Sequence, residues 1–482
     1  MFADATGRVT RFSSEPADLA HAQRLSGRAL LPGLVNGHSH AFQRVLRGRT
    51  EHRTFEEHAQ NGVRREQVPD ILGGARRALC ASRERDSFWT WRERMYHAAN
   101  RLSPEALYHA SRMAFLEMLL GGITTAGEFH YVHHGAGGAA YADRNELALH
   151  VIRAARDIGL RIALLRTAYV RSGWGKPAEP GQARFLTPRV EDFIADTEAL
   201  RAALAENEGQ AWVGVAPHSL RAVPLAYLQE VAEYARRRQM PLHMHVSEQP
   251  ADVEACLAEY NLRPVELLER NGLLDSRFTA VHAIHVTGEE ISSLARAAAI
   301  VCACPTTERN LGDGTVPADQ LLHAGVRISL GSDSNVQINL LEDARELEYH
   351  LRMVKLERAV LVFDEPAQNE VRREPVRRTL CASTHLFACA TEAGAASLGA
   401  SGGVLEAGRQ QLALPYHVRR CPTAARLASL CESGGSEGVC EMGTEVVAHR
   451  SRVAARGLCH PARRRARVSV GKRSARGEVR QF

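Results

Sequence analysis

The sequence lacks the features that mark membrane, secreted and zinc-knuckle proteins. None of its apolar runs approaches the roughly 18 residues that a membrane span needs. The first residues, "MFADATGRVTRF", do not have the basic and then apolar layout of a secretion signal. No two of its 10 cysteines are paired at zinc-knuckle spacing. We therefore predict a cytoplasmic protein that does not bind membranes.

Aromatic residues are also scarce, at 6%, whereas the 45% hydrophobic and 24% charged residues are ordinary for a globular chain of 482 residues. The net charge of +6 arises at the end of the chain, since residues 411–482 contain 14 Lys and Arg against 5 Asp and Glu. These arginines are not interleaved with the aromatic side chains that nucleic-acid binding uses. We therefore predict no nucleic-acid partner and interpret this basic tail as disordered.

Strand-like and helix-like patterns alternate from residue 29 onward. Eight apolar, β-rich runs are separated by amphipathic stretches, which predicts an α/β fold, a (β/α)8 TIM barrel, over residues 29–395. Residues 50–86 are polar, carry mixed charge and show no period, so we interpret them as an insertion after the first strand. The eight runs are 29–35, 122–129, 161–169, 212–218, 241–246, 279–284, 299–304 and 327–333.

Histidine and carboxylate side chains collect at the ends of these runs, where barrel chemistry is expected. His38 and His40 are two residues apart and share one face of a strand. His243 and His245 are related in the same way, and spacing does not choose between them. We prefer His245, which is nearer to the carboxyl end of its strand.

Two further strand ends carry such side chains. His282 lies near the end of the sixth run, with His285 just after it, and Asp333 ends the eighth. Three imidazoles and one carboxylate suit a single divalent metal with an open position for water, zinc above all. Zinc lowers the pKa of a bound water to roughly 7. Glu248, His282 and Asp333 are then the candidates for moving protons.

The motifs around these residues resemble the amidohydrolase superfamily. "HVSE", from His245 to Glu248, is similar to its mononuclear deaminase branch. Longer matches are "GHSHAFQRVLRGRT", "DSFWTWRERMY", "APHSLRAV", "CPTTERNLGDG" and "GSDSNVQINLLEDARELEYHLR". Together they resemble the formimidoylglutamate deiminases, a family of that superfamily, over about residues 25–409.

This resemblance implies a metal set and a substrate. It assigns one Zn²⁺ per chain to His38, His40, His245 and Asp333, with Glu248, His282 and Asp333 as catalytic residues. It also implies hydrolysis of N-formimino-L-glutamate to N-formyl-L-glutamate and ammonia, in histidine degradation. The implied substrate-binding residues are Gln43, Arg92, Tyr131, His218 and Arg221. Two arginine forks suit a substrate that carries two carboxylates.

The resemblance further implies a small β-sandwich beside the barrel. Residues 1–28 would supply its N-terminal β segment, and residues 396–482 a C-terminal remnant followed by the basic tail. It leaves a homodimer open, and it does not choose between zinc and iron. Two alternatives stay open as well: a deaminase of the same branch that acts on a purine or related ring, and an inactive barrel paralogue.

Overall fold

Eight parallel strands form a barrel. They are β1 (Leu34–Ser39), β2 (Ile123–His130), β3 (Arg161–Ala168), β4 (Ala211–Pro217), β5 (Leu242–Val246), β6 (Phe278–His282), β7 (Ile300–Ala303) and β8 (Arg327–Leu330). Each strand pairs with the next in chain order. The barrel closes where His40 donates its backbone N–H to the carbonyl oxygen of Asp333 at 2.9 Å, and Asp333 donates to that of His38 at 3.0 Å. This confirms the predicted TIM barrel.

The structure is a computed structural model. It describes residues 31–50, 87–205, 209–364 and 382–400, together with 2–3, 9–20, 22 and 379–380. All of the predicted insertion except Thr50, and all of the tail from residue 401, lie outside the described residues. The β-sandwich and the disordered tail therefore stay predictions. No helix among the described residues is long and apolar enough to cross a bilayer.

The first strand differs from its prediction. It begins at Leu34 rather than at Ala29 and continues to Ser39 rather than ending at Val35. Pro32 lies just before the strand and has no backbone N–H to donate to a neighbouring strand, which disfavours pairing at that position. The pairing of β1 with β2 is also irregular between Asn36 and Ser39, just where His38 turns towards the barrel mouth.

Helices surround the barrel, and their ends follow local capping chemistry. Ser103 accepts a hydrogen bond from the Ala106 N–H at the start of one helix, and Gly121 ends the same helix. Ser87 caps the helix that carries Arg92, in a capping box with Thr90. The helices are Pro16–Leu19, Phe88–Ala99, Pro104–Leu120, Glu146–Ile158, Val190–Ala203, Leu225–Arg238, Pro250–Tyr260, Pro264–Arg270, Gly288–Arg296, Pro305–Leu311, Ala318–His323, Leu340–Lys355, Ala382–Cys389 and Glu392–Ser397.

The helix Glu392–Ser397 covers the amino-terminal end of the barrel. The carbonyl oxygen of Ser397 lies 2.7 Å from Nε2 of His243, and that of Leu398 accepts from the Trp212 indole at 2.8 Å. Gly394 lies so close to β1 that a Cβ there would come within 2.7 Å of the Val35 carbonyl oxygen. This end of the barrel is therefore closed, and the carboxyl ends of the strands form the open mouth.

Candidate active site and metal centre

Four side chains from three strand ends meet at the mouth of the barrel. Nε2 of His38 lies 3.2 Å from Nε2 of His40, and both nitrogens lie within 3.3 Å of Oδ1 of Asp333. The His245 ring is 4.9 Å from that of His38, between centroids. One nitrogen or oxygen from each of the four residues lies within 4.8 Å of the others. The sequence-predicted metal set is thus gathered in one place.

Backbone carbonyl groups set the orientation of two of these imidazoles. Nδ1 of His40 lies 2.9 Å from the carbonyl oxygen of Phe129, and Nδ1 of His245 lies 3.0 Å from that of His218. A carbonyl oxygen can only accept, so Nδ1 carries the hydrogen in both rings. Each Nε2 therefore presents a lone pair to the centre of the site, as a metal ligand must.

The electrostatics of the site favour the forms that bind a cation. Burial lowers the pKa of His38 to about 3 and that of His245 well below its ordinary value, which keeps both rings neutral. Burial alone would raise the pKa of Asp333, but the adjoining His38 and His40 outweigh it and hold that pKa well below its usual range. Neutral imidazoles and an ionised carboxylate are the donor set of a divalent metal site.

The backbone of Asp333 is strained, and neighbouring contacts hold it in place. Its φ of 43° lies in the left-handed region, which a residue with a side chain adopts only when its surroundings impose it. The Asn335 side-chain amide donates to the carbonyl oxygens of His40 and Asp333, at 3.0 and 3.1 Å. Gly331 allows the close approach to β1, because a Cβ there would lie 2.8 Å from that of His38. The two strands that carry three of the four ligand candidates are thus locked together.

A second group of titratable side chains borders this set. Nε2 of His282 lies 3.5 Å from Oε1 of Glu248, and its Nδ1 lies 3.2 Å from Oε1 of Glu308. Burial raises the pKa of Glu248 to about 7. Burial would lower the pKa of His282, but Glu248 and the other carboxylates outweigh it and raise that pKa well above its ordinary value. The pair can hold and release a proton near neutral pH.

The cavity above the metal set is lined by all five predicted substrate-binding residues, Gln43, Arg92, Tyr131, His218 and Arg221. The Gln43 amide donates to the Tyr131 hydroxyl at 2.8 Å, and its own Oε1 is buried without a partner in the part of the chain that the structure describes. The His218 ring packs against that of His245, with 4.8 Å between centroids. These residues form one wall of the cavity.

Two arginines reach the cavity from different elements. Arg92 lies on the helix Phe88–Ala99, and its Nε and one terminal nitrogen are buried with no partner among the described residues. Arg221 follows β4, and its Nε donates to Asp252 at 3.2 Å. Both guanidinium carbons lie near the Trp89 ring, at 4.6 and 6.0 Å from its centroid. Buried donors are normally hydrogen-bonded, so the unpaired donors of Arg92 favour an anionic acceptor that enters the cavity.

The structure distinguishes the two neighbouring histidines at each of two strand ends, which spacing in the sequence could not do. His243 shares the inward face of His245 but lies deeper in the barrel, bonded to Ser397. His285 lies apart, with Nε2 2.9 Å from the carbonyl oxygen of Asp313. Sequence reasoning missed Glu308, although it lies in the "CPTTERN" motif, and the cavity residues Tyr96 and Tyr169. Tyr96 could have been found from its position four residues after Arg92, on the same face of a helix.

Comparisons with known proteins agree with this geometry. The model of the amidohydrolase family matches residues 29–410. Formimidoylglutamate deiminase of Pseudomonas aeruginosa is 37% identical over 390 residues, which cover 81% of this chain and 76% of that protein. The 8-oxoguanine deaminase of the same organism is 28% identical and covers 72% of this chain and 70% of that protein.

Solved structures show the same architecture. An amidohydrolase from Brucella melitensis superposes with a TM-score of 0.69 and 34% identity, covering 84% of this chain and 80% of that chain. An adenosine deaminase from Xanthomonas campestris with bound zinc has a TM-score of 0.56 and 23% identity, covering 79% and 70%. The second likeness shows the fold alone.

Proposed function

Because the chain belongs to the amidohydrolase family, we propose that it hydrolyses N-formimino-L-glutamate to N-formyl-L-glutamate and ammonia, a step of histidine degradation. The observation that carries this proposal is the cavity with two arginines above a set of metal-ligand side chains. The 37% identity to a formimidoylglutamate deiminase supports the same substrate. A ring deaminase is less compatible, because unpaired guanidinium donors would be left buried against an uncharged ring.

We propose one divalent metal, zinc, per chain, held by His38, His40, His245 and Asp333. The convergent Nε2 atoms of neutral rings and the ionised carboxylate fit such an ion. When bound, it would act as a Lewis acid and make a water molecule more acidic. Elemental analysis of purified protein tests both the identity of the metal, zinc or iron, and its ratio to the chain.

Glu248 is proposed as the proton carrier. Its pKa of about 7 lets it take a proton from the attacking water and return it at neutral pH. One proton passes from the water, through Glu248, to the nitrogen that leaves the formimino carbon. The C–N bond to that nitrogen breaks, ammonia departs, and the water oxygen becomes the formyl oxygen. The formimino nitrogen needs two protons to leave as ammonia, so the second water proton, which Asp333 beside the same centre can accept, passes on to that nitrogen as well.

His282 is proposed to steady the tetrahedral carbon centre. Held between Glu248 and Glu308, its ring is charged and presents Nε2–H towards the centre of the site. A cationic donor there stabilises negative charge as it develops on the attacked group. His218, with Gln43 and Tyr131, lies on the cavity wall and can orient the formimino group by hydrogen bonds.

Arg92 and Arg221 are proposed to bind the two carboxylates of the substrate. Each guanidinium presents a planar fork, and burial strengthens a charge-assisted hydrogen bond. Asp252 orients Arg221 through the bond to Nε, and the terminal N–H groups other than the one that faces Tyr169 remain for the substrate.

A product assay tests the proposal directly. Purified protein is incubated with N-formimino-L-glutamate, and the products are separated. We expect N-formyl-L-glutamate and ammonia in equal amounts. Glutamate with formamide would mean that the other C–N bond is cleaved, and turnover of adenosine or 8-oxoguanine in place of this substrate would favour a ring deaminase.

A further inference from the structure

Two tyrosine hydroxyls and one side-chain amide form a buried triangle beside the cavity. Nε2 of Gln182 lies 3.1 Å from the Tyr96 hydroxyl and 3.0 Å from the Tyr169 hydroxyl, and the two hydroxyls are 3.1 Å apart. Gln182 lies on the 3-10 helix Pro180–Phe185 and is fully buried. Both tyrosines line the cavity. All three groups are removed from bulk water, so their hydrogen-bond partners have to be sought within the protein and the cavity.

The orientation of the Gln182 amide is settled by the backbone. Its Oε1 lies 2.8 Å from the backbone nitrogen of Glu179, which can only donate. The other end of the amide, the NH₂ group, therefore faces the two tyrosines. It has two hydrogens and donates one to each hydroxyl oxygen.

The direction in which each tyrosine hydroxyl donates its hydrogen can be assigned by counting the bonds that its oxygen accepts. Tyr169 also faces Arg221, whose terminal nitrogen lies 3.5 Å from the hydroxyl and can only donate. The Tyr169 oxygen then accepts from Gln182 and Arg221, so its own hydrogen goes to Tyr96. The Tyr96 oxygen accepts from Gln182 and Tyr169, which uses both of its lone pairs. Among the described residues no acceptor remains for the hydrogen of Tyr96.

Tyr96 lies next to Arg92. The two residues are four apart on the helix Phe88–Ala99, and the Arg92 guanidinium carbon is 5.4 Å from the centroid of the Tyr96 ring. Burial is the main cause that raises the pKa of Tyr96 above its ordinary value, and the neighbouring Tyr169 raises it further. The phenol therefore keeps its hydrogen. One O–H donor and two buried guanidinium donors thus border the same part of the cavity.

We infer that Tyr96 is a further substrate-binding residue, which donates its O–H to the carboxylate that Arg92 binds and is positioned by Gln182. The inference rests on the proposed function for the identity of the carboxylate. The Tyr96 hydroxyl adds a third hydrogen bond to the two that the buried guanidinium donors of Arg92 can make. A substrate group with fewer oxygens than a carboxylate would leave one of these three donors buried and unpaired. Tyr96 therefore contributes to the choice of a carboxylate over a neutral group.

The variant Tyr96→Phe removes only the hydroxyl. We expect KM for N-formimino-L-glutamate to rise about tenfold to a hundredfold with kcat nearly unchanged, since one hydrogen bond to a charged group is lost. The matched control is Tyr227→Phe, because Tyr227 is also buried but donates to the carbonyl oxygen of Thr187, outside the described cavity lining. An equal rise in KM for both variants, or no rise for Tyr96→Phe, would overturn the inference.

Two further measurements separate this inference from the proposed function. Calorimetric binding of N-formyl-L-glutamate needs no turnover, and we expect Tyr96→Phe to bind it at least tenfold more weakly than the unchanged protein. In a double-mutant cycle with Arg92→Met, the two losses should be strongly non-additive, because both residues bind one carboxylate. Additive losses, or equal affinity for the product, would contradict a role for Tyr96 even in a protein that hydrolyses formiminoglutamate.

Discussion

Oε1 of Glu308 lies 3.2 Å from Nδ1 of His282 and accepts the backbone N–H of Cys304 at 2.7 Å. Glu308 is buried and is not among the described residues that line the cavity, and it contacts the site through His282. This carboxylate holds the imidazole in the orientation that points Nε2 at Glu248 and Asp333. It is an outer partner of the kind that sets both the tautomer and the charge of a histidine.

Replacing Glu308 with glutamine should slow turnover and leave the metal bound. Glutamine can still accept both hydrogen bonds through its carbonyl oxygen, but it lacks the charge that supports a cationic His282. We expect kcat to fall by about tenfold to a hundredfold. Steady-state kinetics with metal analysis measure this, and the exposed Glu191→Gln is a suitable control. Unchanged kcat would show that the charge of Glu308 is irrelevant to catalysis.

The variant His245→Ala should lose most of its metal, whereas His243→Ala should keep it. The first removes one of four converging donors, while the second removes a side chain that is bonded to Ser397 at the closed end of the barrel. Metal content by elemental analysis, with circular dichroism to check the fold, distinguishes the two. Full metal retention in His245→Ala would mean that the ligand set is misassigned.

Glu248→Gln should retain the metal and lose activity. The two side chains have nearly the same shape, but an amide cannot carry a proton between water and the leaving nitrogen. Loss of such a group costs about 10²–10⁴ in rate. The comparison is kcat at saturating N-formimino-L-glutamate beside metal content. A variant that turns over at the original rate would exclude Glu248 as the proton carrier.

Arg92→Met and Arg221→Met should each lower kcat/KM by about one to three decades, because a buried carboxylate loses its charged partner. Arg→Lys should restore activity only in part, since an ammonium lacks the planar fork. Metal content should not change. Arg189→Met, at an exposed position outside the described cavity lining, is the control. Values near those of the unchanged protein for both variants would argue against the dicarboxylate pocket.

Asp343 should make the protein less stable as the pH rises. It is fully buried, accepts from the backbone N–H and the hydroxyl of Thr306, and burial raises its pKa to about 7. The unfolded chain releases this proton near pH 4, so between about pH 4 and 7 the folded state binds more protons. The contribution of Asp343 to the free energy of unfolding is fully present below about pH 4. It then falls by at most about 1.4 kcal/mol per pH unit until about pH 7, where the folded protein also releases the proton.

Asp343→Asn keeps an acceptor for Thr306 and cannot ionise. We therefore expect its melting temperature to exceed that of the unchanged protein at pH 8, with the difference shrinking or reversing at pH 5. Thermal unfolding at the two pH values measures this. A difference that does not depend on pH would show that Asp343 does not titrate in this range.

Much of the architecture follows from local pattern. The eight strands and the helix that starts after Ser103 lie where alternation and capping place them, because apolar periodicity and N-cap chemistry depend on near neighbours. The start of β1 was misplaced, since the long-range pairing with β2 overrode an apolar run interrupted by Pro32. The roles of individual site residues stay proposals, although the structure gathers the residues at one mouth.

The sequence by itself determined that His38, His40, His245 and Asp333 stand at strand ends, because parallel strands in a barrel bring their carboxyl ends to one side. Spacing could not separate His243 from His245, and the preference for His245 rested only on its place nearer to the strand end. The two residues share one face and differ in depth, and the bond from His243 to Ser397 at the closed end of the barrel shows which one lies deeper. Nor could the sequence show Glu308 behind His282 or the Gln182 triangle. Those contacts join segments up to 86 residues apart, and only the closed barrel with its loops decides which donors and acceptors meet.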